Sequence, residues 1–128
     1  MQPINIKEKF SKFNKQWHPH QIATVDDMQV ILAKITGEFV WHSHKEEDEL
    51  FYVQKGTLLM RFRNVDTPQE EWSETIRQGE IIVVPKGVEH CPVAEEETHF
   101  MMIEPASTAH TGAVVSEQTV SVDNQTHI

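Results

Sequence analysis

Trp41-His42-Ser43-His44-Lys45-Glu46-Glu47-Asp48-Glu49 sets two histidines one residue apart and follows them, after a short acidic loop, with a carboxylate. Side chains at i and i+2 of an extended strand share a face, so this spacing projects His42 and His44 side by side. Neutral imidazoles joined by a carboxylate suit a divalent transition metal. A lone histidine in a strand is ordinarily a surface or hydrogen-bonded residue. A same-face pair with an acid across the turn is harder to read that way.

If His44 and Glu49 flank a turn, the strands on either side pair antiparallel. His42 then falls opposite Phe51 and Val40 opposite Val53. One face carries His42, His44 and Glu49 at its polar end, with Val40, Phe51 and Val53 filling the apolar remainder. The other face sets Ser43 opposite Leu50, Trp41 opposite Tyr52 and Phe39 opposite Gln54. Phe39, Trp41, Leu50 and Tyr52 make this second face apolar, so it needs a cover, and a second subunit is the simplest one. The Trp41–Tyr52 pair also has a structural reading, because cross-strand aromatics stabilise a sheet.

Outward from this hairpin the chain reads as short strands, at 29–36, 39–44, 49–54, 57–63, 72–76, 80–84 and 99–104, with a shorter one near 90–93. Gly37, Gly56, Gly79 and Gly87 fall at the breaks between them, as turn glycines should. Many short strands with glycine breaks and no intervening helices indicate an all-β sandwich or barrel. Towards the N-terminus, Ile6, Phe10, Phe13 and Trp17 recur at helical spacing. Asn5 with Glu8 forms a candidate capping box, and Pro19 is the expected stop. Such an aromatic stripe is more economically read as packing on its own domain than as a membrane-surface helix. Beyond Pro105 the chain turns rich in Ser, Thr, Gln and Ala, with Val114, Val115, Val120 and Val122 as material for an edge strand; its last dozen residues are expected to be mobile. The expected organisation is a single domain over 1–128. Residues 1–28 supply the N-terminal helix and a lead-in strand, 29–104 the barrel, and 105–128 a C-terminal extension.

The 128 residues carry a formal charge of −9, which argues against a nucleic-acid partner and against an anionic membrane surface. The single cysteine, Cys91, rules out an internal disulfide and suits a reducing compartment. The first residues show no apolar signal-peptide core, and no run approaches a membrane span. The expectation is a soluble cytoplasmic protein.

A second stretch, Gly79-Glu80-Ile81-Ile82-Val83-Val84-Pro85-Lys86-Gly87-Val88-Glu89-His90, gives an apolar strand, a Pro-x-Gly turn and a histidine just past it. Taken together, the two stretches resemble the motifs of the cupin superfamily. Gly37, His42, His44, Glu49 and Gly56 match its first motif, and Gly79, Pro85, Gly87 and His90 its second. Gly37 precedes His42 by one residue fewer than the usual motif, and Ala94 replaces the asparagine that often ends the second. Neither is a ligand position. The resemblance spans about 29–104 and implies a small jelly-roll β-barrel holding one divalent metal ion per subunit through His42, His44, Glu49 and His90. Three imidazoles and a carboxylate leave positions open on a six-coordinate ion. Mn, Fe, Co, Ni, Cu and Zn all fit this ligand set. Asp48 is the alternative carboxylate, although motif spacing and strand alternation both favour Glu49.

Fold does not fix reaction. One expectation is a metal-dependent enzyme, a dioxygenase or an isomerase or lyase, acting on a small organic molecule. The other is a non-catalytic module that captures a small ligand through the metal. An acid or base beyond the four ligands separates them. Tyr52 falls on the opposite face, Glu38 roughly 20 Å from His44 along the strand, and Cys91 points away from the metal as a buried thiol. His99 has no assignable facing, and His18, His20 and His110 sit in expected loops, where a surface position is the preferred reading and a place at the pocket mouth the alternative. In 57–63, Leu58, Met60 and Phe62 share one parity and Arg61 and Arg63 the other. Met60 and Phe62 should therefore join Val40, Phe51 and Val53 in lining the pocket, with both arginines outside. That weakens a sugar-phosphate isomerase reading and favours a small hydrophobic or aromatic substrate, or an oxo or hydroxy acid.

Overall fold

A computed structural model describes residues 1–110, 112, 114, 119–121 and 125–128. Among these residues are one helix, α1 (Ile6–Phe10), and eight strands: β1 (His20–Val25), β2 (Met28–Glu38), β3 (Glu49–Lys55), β4 (Thr57–Arg63), β5 (Glu71–Arg77), β6 (Ile81–Val84), β7 (Glu89–Pro105) and β8 (Thr126–His127). The strands run in the order β5-β4-β7-β2-β1-β8, with β3 laid between β7 and β6. This is the jelly-roll architecture expected from the strand pattern and the resemblance.

One ribbon organises it. β7 pairs antiparallel with β2 over most of its length, with β3 along its C-terminal half and with β4 along its N-terminal half. The ribbon is irregular where Ile35 gives way to Gly37, opposite the exposed Glu95–Glu97 stretch. Bulges of this kind bend strands and let a sheet close on itself. Inward-facing residues alternate along both strands: Gln29, Ile31, Ala33 and Ile35 on β2, and Thr98, Phe100, Met102 and Glu104 on β7. With Phe51, Val53, Leu58, Met60, Phe62, Ile76 and Val84 they form the barrel core.

Three expectations from the sequence are corrected here. Residues 39–44 form no strand with β3; the segment instead bridges to His90, with paired backbone hydrogen bonds between His42 and His90. The partners of β3 are β7 on one edge and β6 on the other, with Glu49 opposite Val84 and Tyr52 opposite Ile81. The nearest turn in sequence therefore did not choose the pairing, and Trp41 and Tyr52 are not cross-strand neighbours. Helix α1 is also shorter than its apolar spacing implies. Asn5 caps it by accepting from the Glu8 N–H at 3.0 Å, but the chain leaves the helix at Ser11, well before Pro19. Phe13 and Trp17 still turn inward: Phe13 stacks on His20 at 3.7 Å, and Trp17, at φ 60°, stacks on Phe39 at 4.7 Å. The C-terminal edge strand is β8, which lies parallel to β1 through Thr126 and His127. It is not built from the valines: Val114 and Val120 are in no strand, and Val115 and Val122 lie outside the described residues. Among the described residues no helix is long and apolar enough to cross a membrane.

Candidate metal centre

His42, His44, Glu49 and His90 come together, each buried, with one potential ligand atom apiece lying within 4.8 Å of all the others. Three different parts of the chain deliver them. Glu49 opens β3 on its inward parity and His90 stands near the start of β7. The irregular loop that carries His42 and His44 is held in place by its backbone. Phe39 N–H donates to the Pro92 carbonyl at 2.9 Å, the His42–His90 pair bonds in both directions at 3.0 and 2.8 Å, and Gly87 N–H donates to the His44 carbonyl at 2.7 Å. Asp48, the alternative carboxylate, turns outward and accepts from Lys86 N–H at 2.8 Å, which secures the Pro85–Gly87 turn to the same loop.

The ring nitrogens are set by their backbone partners. Nδ1 of His42 donates to the Val40 carbonyl, and Nδ1 of His90 to the Val88 carbonyl, each at 2.9 Å. A carbonyl only accepts, so in the neutral ring Nδ1 carries the hydrogen and Nε2 presents a lone pair. Burial, with the neighbouring His90 adding to it, pushes the His42 imidazole down to about 3. Burial alone would raise the Glu49 carboxyl. The imidazoles of His44 and His90 and the carboxyl of Glu104 outweigh it and hold Glu49 well below the usual carboxylate range. Oε1 of Glu49 sits 2.9 Å from Nε2 of His44 and 3.2 Å from Nε2 of His90. Yet these three buried atoms make no properly directed hydrogen bond. The His90 lone pair and a carboxylate oxygen thus face each other with both side chains almost fully buried. A metal cation between them relieves that arrangement, and the donor set fits a divalent transition metal.

Behind Glu49 lies a support that sequence reasoning missed. Glu104 and Gln29 are fully buried, and Gln29 Nε2 donates to Glu104 Oε1 at 3.2 Å. Burial, reinforced by the adjacent Glu49, raises the Glu104 carboxyl well above its ordinary value. Glu104 thus lies beside Glu49, and its Oε2 is buried with no hydrogen-bond partner among the described residues. The signal was Glu104's inward parity on β7, readable only once the register sets Leu50 against Ile103.

Next to the cluster is a cavity of about 40 Å³, lined by His42 and Glu49 and otherwise almost wholly by apolar groups, Trp17, Phe39, Phe51, Phe100 and Met102 among them. It has room for about three water-sized groups. Of the residues expected to line it, Phe51 does; Val53, Met60 and Phe62 are packed into the barrel core instead. Val40 is half-buried and contributes its carbonyl to His42. Phe39, expected on the outer face, is buried in the cavity wall with its ring edge-on to His42 at 5.3 Å. Trp41 is half-buried under the guanidinium groups of Arg61 and Arg63, at 5.0 and 4.2 Å from its ring. Leu50 and Tyr52 do keep the outward parity of β3.

The remaining candidates separate cleanly. His110 lines the cavity, 5.5 Å from the Phe39 ring, and its Nε2 accepts from Val120 N–H. His99 faces outward and stacks on Phe10 at 4.9 Å. His18 and His20 belong to a buried cluster with Phe13 and Thr126. Cys91 is buried against the Phe39 carbonyl, and burial, then Glu38, pushes its thiol up to about 12, so it is an unreactive thiol. Arg61 pairs with Glu71 and Glu38 outside the barrel, and Lys86 is exposed.

Residues 5–126 match the protein-family model described as Cupin. The uncharacterized protein YdbB of Bacillus subtilis (strain 168) is 35% identical over 85 residues, which make up 66% of this chain and 64% of that protein. The chain thus spans slightly under two thirds of that relative. A cupin-2 domain containing protein from Shewanella frigidimarina NCIMB 400 is 48% identical with a TM-score of 0.73, over 80% of this chain and 93% of that one. Hydroquinone 1,2-dioxygenase from Sphingomonas sp. TTNP3, solved in complex with 4-nitrophenol, superposes with a TM-score of 0.71 at 16% identity, covering 80% of this chain and 32% of its own. At that identity the likeness is one of fold.

Proposed function

Because the chain belongs to the cupin family and gathers three imidazoles and a carboxylate on one buried point, we propose that it acts on a small organic molecule at a divalent metal centre held by His42, His44, Glu49 and His90. The observation that carries this reading is the convergence of buried, undirected polar atoms on Glu49 beside an apolar cavity. A metal ion bound there supplies a Lewis acid or an oxygen-activating centre, which supports dioxygenase or isomerase/lyase chemistry.

The chain's own residues do the rest. Val40 and Val88 fix the ring tautomers, and Gln29 holds Glu104 in place beside Glu49. Outer partners of this kind set ligand direction and basicity. The aromatic walls exclude water, which strengthens every polar interaction inside. His110 is the titratable group in the cavity wall outside the four ligands, and its presence favours turnover over simple capture. The cavity walls offer no lysine or arginine to a phosphate, so a small phenol or a 2-hydroxy or 2-oxo acid fits better than a sugar phosphate.

A homodimer belongs to the same reading. Leu50 and Tyr52 on β3 share the outer face of the sheet with exposed Ile81 and Val83 on β6 and half-buried Ile103 on β7. A contiguous apolar face of this kind is suited to a second copy.

The test is metal analysis of the protein purified without an affinity tag, followed by oxygen-uptake and product assays against phenols and 2-hydroxy and 2-oxo acids. One ion per chain, with loss of the ion in His90→Ala, is expected. Metal-free protein that takes up no stoichiometric Mn, Fe, Co, Ni, Cu or Zn would overturn the proposal. A compound that binds the metal-loaded protein and is recovered unchanged would move it to the capture module.

A further inference from the structure

On the outer side of the sheet, away from the metal cluster, a groove of about 630 Å³ runs between α1 and strands β2, β3 and β7. Its size is that of a small-molecule site. In a chain of net charge −9, three lysines line it, Lys7, Lys34 and Lys55, and no aspartate or glutamate does. Lys34 is largely buried, its ammonium donating to the Phe13 carbonyl at 2.6 Å, so one of these charges is fixed in place. Lys7 and Lys55 stand exposed at the rim.

The floor holds polar atoms whose hydrogen-bonding capacity is unused. Both side-chain amide atoms of Gln54 are buried with no partner among the described residues. Nε2 of His99 is buried as well, and the nearest carboxylate oxygen, on Glu97, is 3.7 Å away, beyond hydrogen-bond reach. Burial, followed by the nearby Lys34, lowers the His99 imidazole, which leaves the ring neutral. Buried polar groups of native proteins are ordinarily satisfied, so two such residues on one floor ask for a partner. Beside them, Ile6 and the buried Phe10 of α1, on which the His99 ring stacks, form an apolar wall.

We propose that this groove is a second binding site, distinct from the metal centre, for a small organic carboxylate with an aromatic or short alkyl body. The carboxylate would take the lysine charges and the amide of Gln54 once that side chain turns out from the floor, and the body would lie along Ile6 and the edge of Phe10. Lysines present point charges rather than the planar fork of arginine, and no arginine lines the groove. The apolar wall selects an organic anion over a bare inorganic one. The site needs neither the metal nor its ligands, so the two proposals stand or fall separately.

Benzoate is the probe. Isothermal titration of the metal-replete full chain at low salt should show benzoate binding that weakens as salt is raised. The Lys7→Ala/Lys55→Ala double variant, altered only at exposed positions, should weaken it by about ten-fold or more, since a charged hydrogen bond is worth roughly that. Gln54→Leu, close to isosteric, should weaken it too and serves if the double variant fails to fold. Benzamide, the same shape without the charge, should bind far less well, and a soaked crystal should show benzoate in the groove. The proposal is overturned if benzoate gives no binding, or if both variants bind it as the wild type does. It is equally overturned if benzamide matches benzoate, if inorganic phosphate binds more tightly, or if benzoate density appears only at the His42–His90 cavity.

Discussion

The two nitrogens of His90 have different tasks. One is spent on the Val88 carbonyl, and the other is thereby committed, lone pair first, to the space beside Glu49. His42 repeats the device through Val40. The carboxylate has its own support in Glu104 and Gln29, which explains why a buried acid pair is kept where an apolar pair would cost less. Replacing Glu104 by Ala, or Gln29 by Leu, should lower metal affinity roughly 10–100-fold while the ligands stay in place; competition with a metal-sensitive chelator checks this. In the metal-free protein, His42 also sets a pH dependence. The unfolded imidazole titrates near 6.5, and the folded one is held down to about 3, chiefly by burial. Between those values the unfolded chain takes up a proton that the folded chain refuses. Stability is therefore lost as pH falls through this window, by up to about 1.4 kcal/mol per pH unit. Denaturation of chelator-treated protein from about pH 7 to pH 4 should show the slope, and His42→Asn should reduce it without abolishing it, because burial shifts His18, His20 and His99 the same way. His42, His44 and Glu49 were legible as a local pattern of two imidazoles and an acid, whereas His90 joined them only through the resemblance of the two stretches to the cupin motifs. Glu104 was not legible, because an acid near a strand end reads as surface until a distant register turns it inward.

At the scale of elements, the β2–β7 ribbon does most of the positioning. His90 and Glu104 lie fourteen residues apart on β7, roughly 45 Å if the strand were straight. Both nevertheless face Glu49, so the ribbon folds back on itself at the Gly37 irregularity. The strands were readable from alternation and glycine punctuation: 57–63 matches β4 end to end. The pairing of 39–44 was not, since alternation says which side chains share a face but not which strand lies alongside. Here the partner came from residues more than forty positions downstream. Turn glycines give a graded test. A Cβ at Gly56, φ +83°, would lie 2.6 Å from Thr98 Oγ1 and 3.0 Å from the Glu97 carbonyl oxygen, whereas one at Gly79, φ +86°, meets nothing within 4 Å. Gly79→Ala should cost about 1–2 kcal/mol for the left-handed backbone alone. Gly56→Ala should add about 1–3 kcal/mol of overpacking. Urea titrations of the two variants give the comparison.

The whole molecule presents two outer surfaces of opposite character on one sheet: an apolar end around Ile81, Val83 and Leu50, and the lysine-lined groove beyond Tyr52. If the apolar end pairs with a second copy, Ile81→Lys/Val83→Lys should shift the sedimentation coefficient from dimer to monomer without loss of bound metal. The sequence pointed to such a face through Leu50 and Tyr52. It misassigned Phe39 and Trp41, which the cavity and the two arginines claim instead.

The ribbon has one more consequence, visible in time rather than in space. β7 is bonded to β2 over most of its length and to β4 or β3 along much of its other edge, so the amides of its doubly paired stretch, 99–103, should be among the last in the molecule to exchange with deuterated water. The loop carrying His42 and His44 has only scattered backbone bonds and should exchange early. The metal centre thus joins a slowly exchanging strand to a faster-exchanging loop. Loading the protein with metal should slow exchange across 39–48 strongly and leave β7 almost unchanged. Mass spectrometry of timed deuterium labelling would record that asymmetry directly.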